Sequence, residues 1–549
     1  MKPALQNLLH RYRDLKERVL APGTRRRALY DALTWAVRRR IEAVTGHQEP
    51  IIEPYDRWRW THVPKDSDLA ALRAVDTRSW PRITVVVLGR ADKAALRRTE
   101  ASLAAQIYPR WELRVGASLA ALTSELVAFA DAGDALAPDA LFRVAQRVAE
   151  RGDDVVYTDE DRVDDAGVHR DPFFKPDWSP DLLMSMDYIG NLMVARRSLI
   201  EAVGGLRASL DGSERYDLML RLAERTKRIA HLPHVLYHAR RVHEEQARSA
   251  LRALSEAATR RGFPAEVTRT QPGRYRVRYA IAGNPRVSII IPTRDKWEVL
   301  KVAIDSIEAH STYSNYELII VDNGSSAPAS LAYLEELGQR HRVVRDPTSP
   351  FNWSTINNRA ARATDSPLLL FLNNDVEVIT PNWIEAMIEH AQRPEVGPVG
   401  AKLFFPDGKV QHAGVIMGLC GTATHAFRGY VADGQEYFAM ASVVRNFSAV
   451  TGACLMVRRE LFDELGGFDE ALRVAYNDVD FCLRAGVRGY ASVYTPFAQL
   501  FHYESATRGS EHPLENEALL VSRWQALIDA DPYFSPNLTL TAEDFRVDG

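Results

Sequence analysis

The sequence predicts an α/β protein in which two copies of one fold follow a basic, helical extension. Two observations carry that prediction. From about Pro81 onward, strand-sized apolar runs alternate with helix-length segments, the pattern of a parallel sheet covered by helices. The series then restarts near Val287, and six segments of the first half recur in the second in the same order. ITVVVLGR parallels VSIIIPTR, WELRVGAS parallels YELIIVDNGSS, and SELVAFADAGDALAPDAL parallels SPLLLFLNNDVEVITPNW. Further along, IGNLMVARRSLIEAVGGL parallels VTGACLMVRRELFDELGGF, YDLMLRL parallels VDFCLRA, and VLYHAR parallels QLFHYE.

Taken in order, residues 1–80 form the extension. Leu5, Leu8, Tyr12, Leu15 and Val19 recur at three- and four-residue steps, and a second helix places Leu29, Leu33, Val37, Ile41 and Val44 on one face. Residues 81–242 hold the first copy, with strands over 83–88, 111–115 and 126–130. A helical, then strand-like linker spans 243–284. Residues 285–509 hold the second copy, with strands over 287–292, 317–321 and 368–372, and 510–549 form a helical tail. The first copy is shorter, chiefly between its second and third strands, where only about ten residues are present.

Composition narrows the class. The chain has 549 residues, 46% hydrophobic and 26% charged, with a formal charge of −3, which fits a globular protein and not a disordered one. No apolar run reaches the length of a membrane-spanning helix. The N-terminus carries no apolar leader with a cleavage site, and three scattered cysteines (Cys420, Cys454, Cys482) suggest neither a disulfide framework nor a zinc site. A reducing, cytoplasmic setting is expected. Charge is distributed unevenly: residues 1–46 contain eleven Lys/Arg against four Asp/Glu, so a +7 head precedes a −10 body. Such a head meets an anionic membrane surface, or it is a helical hairpin packed on the body with its arginines solvated. No nucleic-acid motif accompanies it, so no nucleic-acid partner is expected.

Polar signals gather after the apolar strands of the second copy, where open α/β sheets place their ligands. Asp322 follows ELIIV and opens DNGSS; it is either a base- or ribose-binding acceptor or a turn residue. In Asn373-Asn374-Asp375, after LLLFL, only Asp375 offers the hard anionic oxygen that Mg²⁺ or Mn²⁺ prefers. Asp478 and Asp480, two residues apart, do not share a helix face, so one role for both is excluded; Asp478 could also cap a helix. His502 suits a second metal ligand, an acid/base group or a structural residue. The acidic run 153–167 reads as a solvated hairpin turning at Asp-Asp-Ala-Gly, and the aromatics of 171–181 as loop packing or a sugar-stacking face.

The segments VSIIIPTRD, IIVDNGSS, FNWSTINNRAARA, FLNNDVEV, AKLFFPDGKVQHAGV, VTGACLMVRRELFDELGGFDE, YNDVDFCLR and FHYESATRG together resemble an inverting family 2 glycosyltransferase of the GT-A fold. The likeness runs over about 285–509. The first half resembles the leading domain of two-domain members, and the tandem form is similar to proteins of O-antigen and rhamnan-type synthesis. The resemblance implies two tandem GT-A-like domains. It implies a UDP-, dTDP- or GDP-sugar donor, a lipid-linked or polysaccharide acceptor, and Mg²⁺ or Mn²⁺ as cofactor. Pro292, Thr293, Asp295, Asp322, Asn358 and Asn373 would line the nucleotide pocket. Asp375 and His502 would hold the metal, and Asp478 would be the catalytic base. His412, Gly452 and Asp480 would border the sugar or acceptor. Asn373 stands where many members carry the first Asp, so one metal contact would be weakened or water-mediated, and Asn477 stands where many read Glu beside the base.

Comparing the copies tests the first of them. Gly133 falls opposite Asp375, Ala117 or its neighbour opposite Asp322, and Arg215 opposite Asp478, while Asp217 pairs with Asp480 and His238 with His502. The first copy is therefore expected to be non-catalytic, unless Asp131 or Asp134 restores a metal site by a shift. The alternative for the whole chain is a non-catalytic sugar- or nucleotide-binding scaffold in a polysaccharide assembly complex.

Overall fold

The computed structural model describes residues 54–88, 93–116, 122–240, 247–431, 436–503 and 514–548. The two helices expected within residues 4–44, and any surface contact through residues 1–46, lie outside these residues. Helices Pro54–His62 and Asp66–Arg73 lead into the first sheet. No helix among the described residues is long and apolar enough to cross a membrane.

The expected class is present as two tandem α/β units. Across the first sheet the strands run Trp111–Val115, Ile83–Leu88, Leu126–Asp131, Met193–Arg196, Val155–Val163, Ile229–Ala239 and Ala135–Leu136. Across the second they run Arg342–Arg345, Tyr316–Asp322, Val287–Thr293, Leu368–Leu372, Cys454–Arg458, Val396–Phe404, Ala491–His502 and Val376–Val378. Apart from the added edge strand Arg342–Arg345, the two orders are the same. The central strands, ITVVVL and VSIIIPT, are apolar on both faces because helices cover both sides of the sheet.

Register makes the duplication residue-exact. Ile83 pairs with Trp111 and Leu126, and Val287 pairs with Tyr316 and Leu368. The Ser102 hydroxyl accepts the Leu136 N–H, as that of Ser306 accepts the Val378 N–H. Buried Asp217 holds Arg221 against the carbonyls of Val203 and Gly205; buried Asp480 holds Arg484 against those of Leu465 and Gly467. Between its second and third strands the second unit inserts helix Pro328–Leu337, the edge strand, and helix Trp353–Arg362. The first unit has only residues 116–125 for the same gap.

The same registers correct one expected pairing. Leu136 lies opposite Tyr237, and its counterpart Val378 lies opposite Leu500, so His502 corresponds to Ala239 and not to His238. His238 corresponds to Phe501, on the other face of the strand, because successive side chains alternate.

The units are joined rather than tethered. Segment 243–284 contains helix Ala247–Arg260 and the hairpin Ala265–Gln271/Arg274–Tyr279, and Gln392 clasps its end through Ala280 and Ala282. Asp181 of the first unit meets Arg393 of the second at 2.6 Å, both side chains 5% exposed, and Asn446 bonds Ser179 and Asp181 beside them. In the tail, helix Leu514–Asp529 is followed by non-helical residues 530–548, so the expected helix covers only its first part. Asp531 there accepts the Met417 N–H, and Asn537 donates to Asp159 of the first unit.

The acidic run does form a hairpin, Val155–Val163 with His169–Phe173. Its turn at Asp164–Gly167 is solvated, but its strand acids are not: Asp159 and Asp161 are buried at 0% and 1% exposure, held by residues from distant segments. Phe173 and Phe174 are buried as well, which makes packing their role.

Candidate active site

The parallel strands ending at Thr293, Asp322 and Leu372 finish on one edge of the second sheet, with Thr293 in register with Asp322. Asp322 is buried, and its Oδ1 accepts the Ser325 N–H at 2.7 Å, closing the Asn-Gly-Ser turn; its Oδ2 lies 3.9 Å from Arg345 Nε. Asp295 and Lys296 take left-handed backbone at φ 52° and 55°, a conformation that ordinary residues hold only where surroundings impose it. Asp295 Oδ1 receives the N–H groups of Ala327 and Ser326, which hold its carboxyl below the usual range, and its own N–H donates to Ser325 Oγ. Pro292 precedes this turn, and Thr293 Oγ1 accepts from Asn374 Nδ2 at 3.0 Å.

Asn374 leads directly to the acid expected to bind metal. Asp375 is 4% exposed, and its Oδ1 has no hydrogen-bond partner among the described residues. That oxygen nevertheless sits 3.1 Å from His502 Nε2. His502 Nδ1 is 2.7 Å from Gln411 Oε1, an acceptor, so Nδ1 carries the proton and Nε2 the lone pair. Asn373 Nδ2 donates to that same Nε2 at 3.1 Å. The imidazole, held by Gln411 on one edge and Asn373 on the other, thus presents Nε2 to the Asp375 carboxylate. Two cis ligands of an octahedral cation with ~2.1 Å bonds are separated by about 3 Å, so the pair fits a hard divalent ion.

Asp478 enters from the opposite side, in the first turn of helix Asn477–Val487. Tyr476, at φ 62°, is the N-cap, so Asp478 does not serve as one. Its Oδ2 accepts the Gly452 N–H at 2.6 Å and its Oδ1 the Val479 N–H at 2.8 Å. Burial raises its pKa, and those two N–H groups work against the rise. Gly452 admits this approach because a Cβ there would stand 3.2 Å from Asp478 Cβ and 3.1 Å from the Trp353 ring. The next residue, Ala453, accepts the Asn373 N–H, which ties the Asp478 and Asp375 segments together.

Three expected site residues are engaged elsewhere. Asn358 exchanges both amide hydrogen bonds with the Phe468 backbone, bracing the 466–470 loop. Asp480 is fully buried and shared by Arg484, Arg523 and Trp524. His412 is fully buried; its Nδ1 lies 2.7 Å from His425 Nδ1, its Nε2 accepts from Gly414 and Thr451, and burial pushes its pKa well down. Sequence reasoning missed Gln411, Asn374 and Ser325. All three are neutral, and only the contacts they make across distant segments reveal them.

In the first unit the corresponding place is filled. Arg215, opposite Asp478, donates to Asp131, opposite Asn373, at 2.6 Å, and also to Asn191. Asp134 accepts from the Tyr237 hydroxyl and the Arg240 N–H. Gly133 stands where Asp375 would be.

The profile of glycosyl transferase family 2 matches residues 288–466. The chain is 38% identical over 553 aligned residues to the O-antigen biosynthesis protein RfbC of Myxococcus xanthus, covering 90% of this chain and 43% of that protein. It is 33% identical over 141 residues to an N-acetylglucosaminyl-diphospho-decaprenol L-rhamnosyltransferase of Mycobacterium tuberculosis, covering 24% and 45% of the two chains. The chain thus spans less than half the length of these relatives. A solved structure of GalNAc-T7 with UDP, GalNAc and Mn²⁺ aligns with 49% of this chain and 54% of its own at 15% identity and a TM-score of 0.38. The chain's second unit carries a glycosyl transferase family 2 domain over residues 288–466.

Proposed function

We propose that the second unit is a divalent-cation-dependent, inverting glycosyltransferase. It moves a sugar from a nucleoside-diphosphate donor to a hydroxyl of a lipid-linked or polysaccharide acceptor. The observation that carries this reading is the facing pair Asp375 Oδ1 and His502 Nε2, 3.1 Å apart, the spacing of two neighbouring ligands on one cation. Asp375 and His502 would hold Mg²⁺ or Mn²⁺, and the cation, when bound, supplies positive charge against the departing diphosphate.

The chain's own residues do the rest. Asp322, at the end of its strand, accepts from the nucleoside. Asp295 and Thr293 shape the turn against which the donor lies. Asp478 takes the proton of the acceptor hydroxyl as that oxygen attacks the anomeric carbon in line with the leaving group. Its raised pKa suits a base better than an ordinary surface carboxylate does, because a stronger base shares the proton further in the transition state. The Gly452 N–H fixes one carboxylate oxygen, which orients the group.

The first unit is non-catalytic: the Arg215–Asp131 pair neutralises the place where donor phosphates and cation would sit. It serves as a brace for the second. The basic segment 1–46 would hold the chain on an anionic membrane surface near a lipid-linked acceptor at the cytoplasmic face.

The test is calorimetric titration of the full chain with UDP, dTDP and GDP, each with and without Mn²⁺, alongside Asp375→Ala. Cation-dependent binding of one nucleotide, abolished in the variant, is expected. Folded protein that binds none of them would shift the chain to the scaffold reading, and binding that survives Asp375→Ala would mean that the first unit is also a donor site.

A further inference from the structure

The buried acid of the hairpin strand Val155–Val163 organises a second cluster, in the first unit and away from the site above. Asp161 Oδ1 lies 2.6 Å from His238 Nδ1, and its Oδ2 lies 2.7 Å from His169 Nδ1 and 2.6 Å from the Tyr55 hydroxyl. One ligand atom from each of Asp161, His169 and His238 lies within 4.8 Å of the other two. The two imidazoles stand edge to face with centroids 4.7 Å apart.

We propose that Asp161, His169 and His238 form a binding site for a divalent transition-metal ion, of the class of Zn²⁺. Two imidazoles and one carboxylate are the donor set that such borderline ions favour over Mg²⁺, Mn²⁺ or Ca²⁺. Three adjacent strands supply one ligand each, so the set is held by the sheet and not by a mobile loop. The Asp161 side chain is 0% exposed while those of His169 and His238 are 17% exposed, which leaves an entry from solvent on the histidine side. Asp161 accepts from His169, His238 and Tyr55, which hold its carboxylate turned toward the two imidazoles. Among the described residues the carboxylate's hydrogen-bond partners are one phenol and two imidazoles, with no arginine or lysine to neutralise it.

This is not a relic of the second unit's site. Asp161 pairs in register with His238, and the equivalent pair in the second unit is Phe404 with Phe501, whose rings are 6.4 Å apart. An apolar contact in one copy has become an acid–imidazole pair in the other. Ion entry requires each histidine to carry its proton on Nε2 and turn the Nδ1 lone pair to the ion. The Nδ1–Oδ separations then open from 2.6 and 2.7 Å toward about 3.3 Å, the spacing of tetrahedral ligands with ~2.0 Å bonds. Through Tyr55 the ion would also pin helix Pro54–His62 to the sheet.

The test uses the full chain, stripped of metal, titrated with Co²⁺ and then competed with Zn²⁺, with visible absorption and melting temperature as readouts. The Asp375→Ala protein is expected to take up one equivalent of Co²⁺ with the strong visible bands of a four-coordinate ion, displaced by Zn²⁺, and to melt at a higher temperature with Zn²⁺ present. His238→Asn, which keeps a donor toward Asp161 but removes the imidazole, is expected to lose the bands and the shift while still folding; His169→Asn is expected to do the same. Folded wild type that shows no Co²⁺ bands, or bands unchanged in both asparagine variants, would overturn the proposal. Nucleotide binding is read separately, so this result stands or falls apart from the transferase reading.

Discussion

His502 Nε2 and Asp375 Oδ1 lie 3.1 Å apart at the strand ends of the second sheet. Gln411 sets this arrangement by accepting the opposite imidazole N–H at 2.7 Å. Gln411 is therefore a positioning residue. Gln411→Leu is expected to weaken Mn²⁺-dependent nucleotide binding by about 10–100-fold, the usual cost of losing a partner that orients a ligand histidine. Gln411→Glu, which keeps the acceptor, should restore most of it. Calorimetry with Mn²⁺ reads both; equal losses in the two variants would assign Gln411 to packing alone.

Asp478→Asn is expected to lower kcat by about 10²–10⁴-fold with donor affinity little changed, since the carboxylate acts on the acceptor proton. The raised pKa of Asp478 also fixes a sign. The base works only when ionised, so kcat should climb with pH through a limb lying above the ordinary carboxylate range. Asp478→Asn should lose that limb along with the rate. A rising limb that persists unchanged in Asp478→Asn would count against Asp478 as the base.

Asp480 and Asp217 are predicted to matter for stability and not for substrate. Each is fully buried with arginines upon it, Arg484 and Arg523 in one unit, Arg207 and Arg221 in the other. Removing the acid strips Arg484 or Arg221 of its carboxylate while Arg523 keeps Asp469 and Arg207 keeps Glu256, a loss of about 1–3 kcal/mol. Asp480→Ala and Asp217→Ala should both melt well below wild type by calorimetry. A normal melting temperature with a raised acceptor KM in Asp480→Ala would return that residue to the acceptor site.

Asp531 couples stability to pH. Burial lifts its pKa to about 6, opposed by the Met417 and Tyr533 N–H groups. Because the folded value exceeds the unfolded one, its contribution is full below about pH 4 and disappears as pH rises through 6, a change on the order of 3 kcal/mol. Asp531→Asn removes the titrating group but keeps an acceptor for only one of the two N–H groups, since Met417 bonds Oδ2 and Tyr533 bonds Oδ1. It should remove that part of the pH dependence, so its stability deficit against wild type narrows as pH rises from 4 to 7, as denaturant titrations over that range will show.

The Asp181–Arg393 pair predicts that the two units unfold together. Both side chains are nearly inaccessible and lie on different units, with the Arg393 group resting over the Tyr279 ring. Asp181→Ala should cost about 3–5 kcal/mol, and the Asp181→Ala/Arg393→Met pair should recover part of it because no unpaired charge remains. Two separated calorimetric transitions in the wild type would show that the interface does not couple them.

The sequence by itself determined the strand–helix series, the duplication and the place of the acids. These are local matters: a run such as Val287–Thr293 can only be a covered strand, and an acid following it can only stand at the sheet's edge. Repetition then exposed the exchange of Asp478 for Arg215 without any knowledge of contacts. What the tertiary structure alone decided is which groups meet. Asp480, Asn358 and His412 carry the residue types of a site, yet their partners, Arg523, Phe468 and His425, come from segments that no spacing rule connects to them. His238 looked equivalent to His502 until the registers set it one residue away, and one residue along a strand is the opposite face of the sheet. The acids of 153–167 read as solvated because charge is costly to bury alone. Asp161 is buried because two imidazoles and a phenol, from three separate elements, arrive to share the cost.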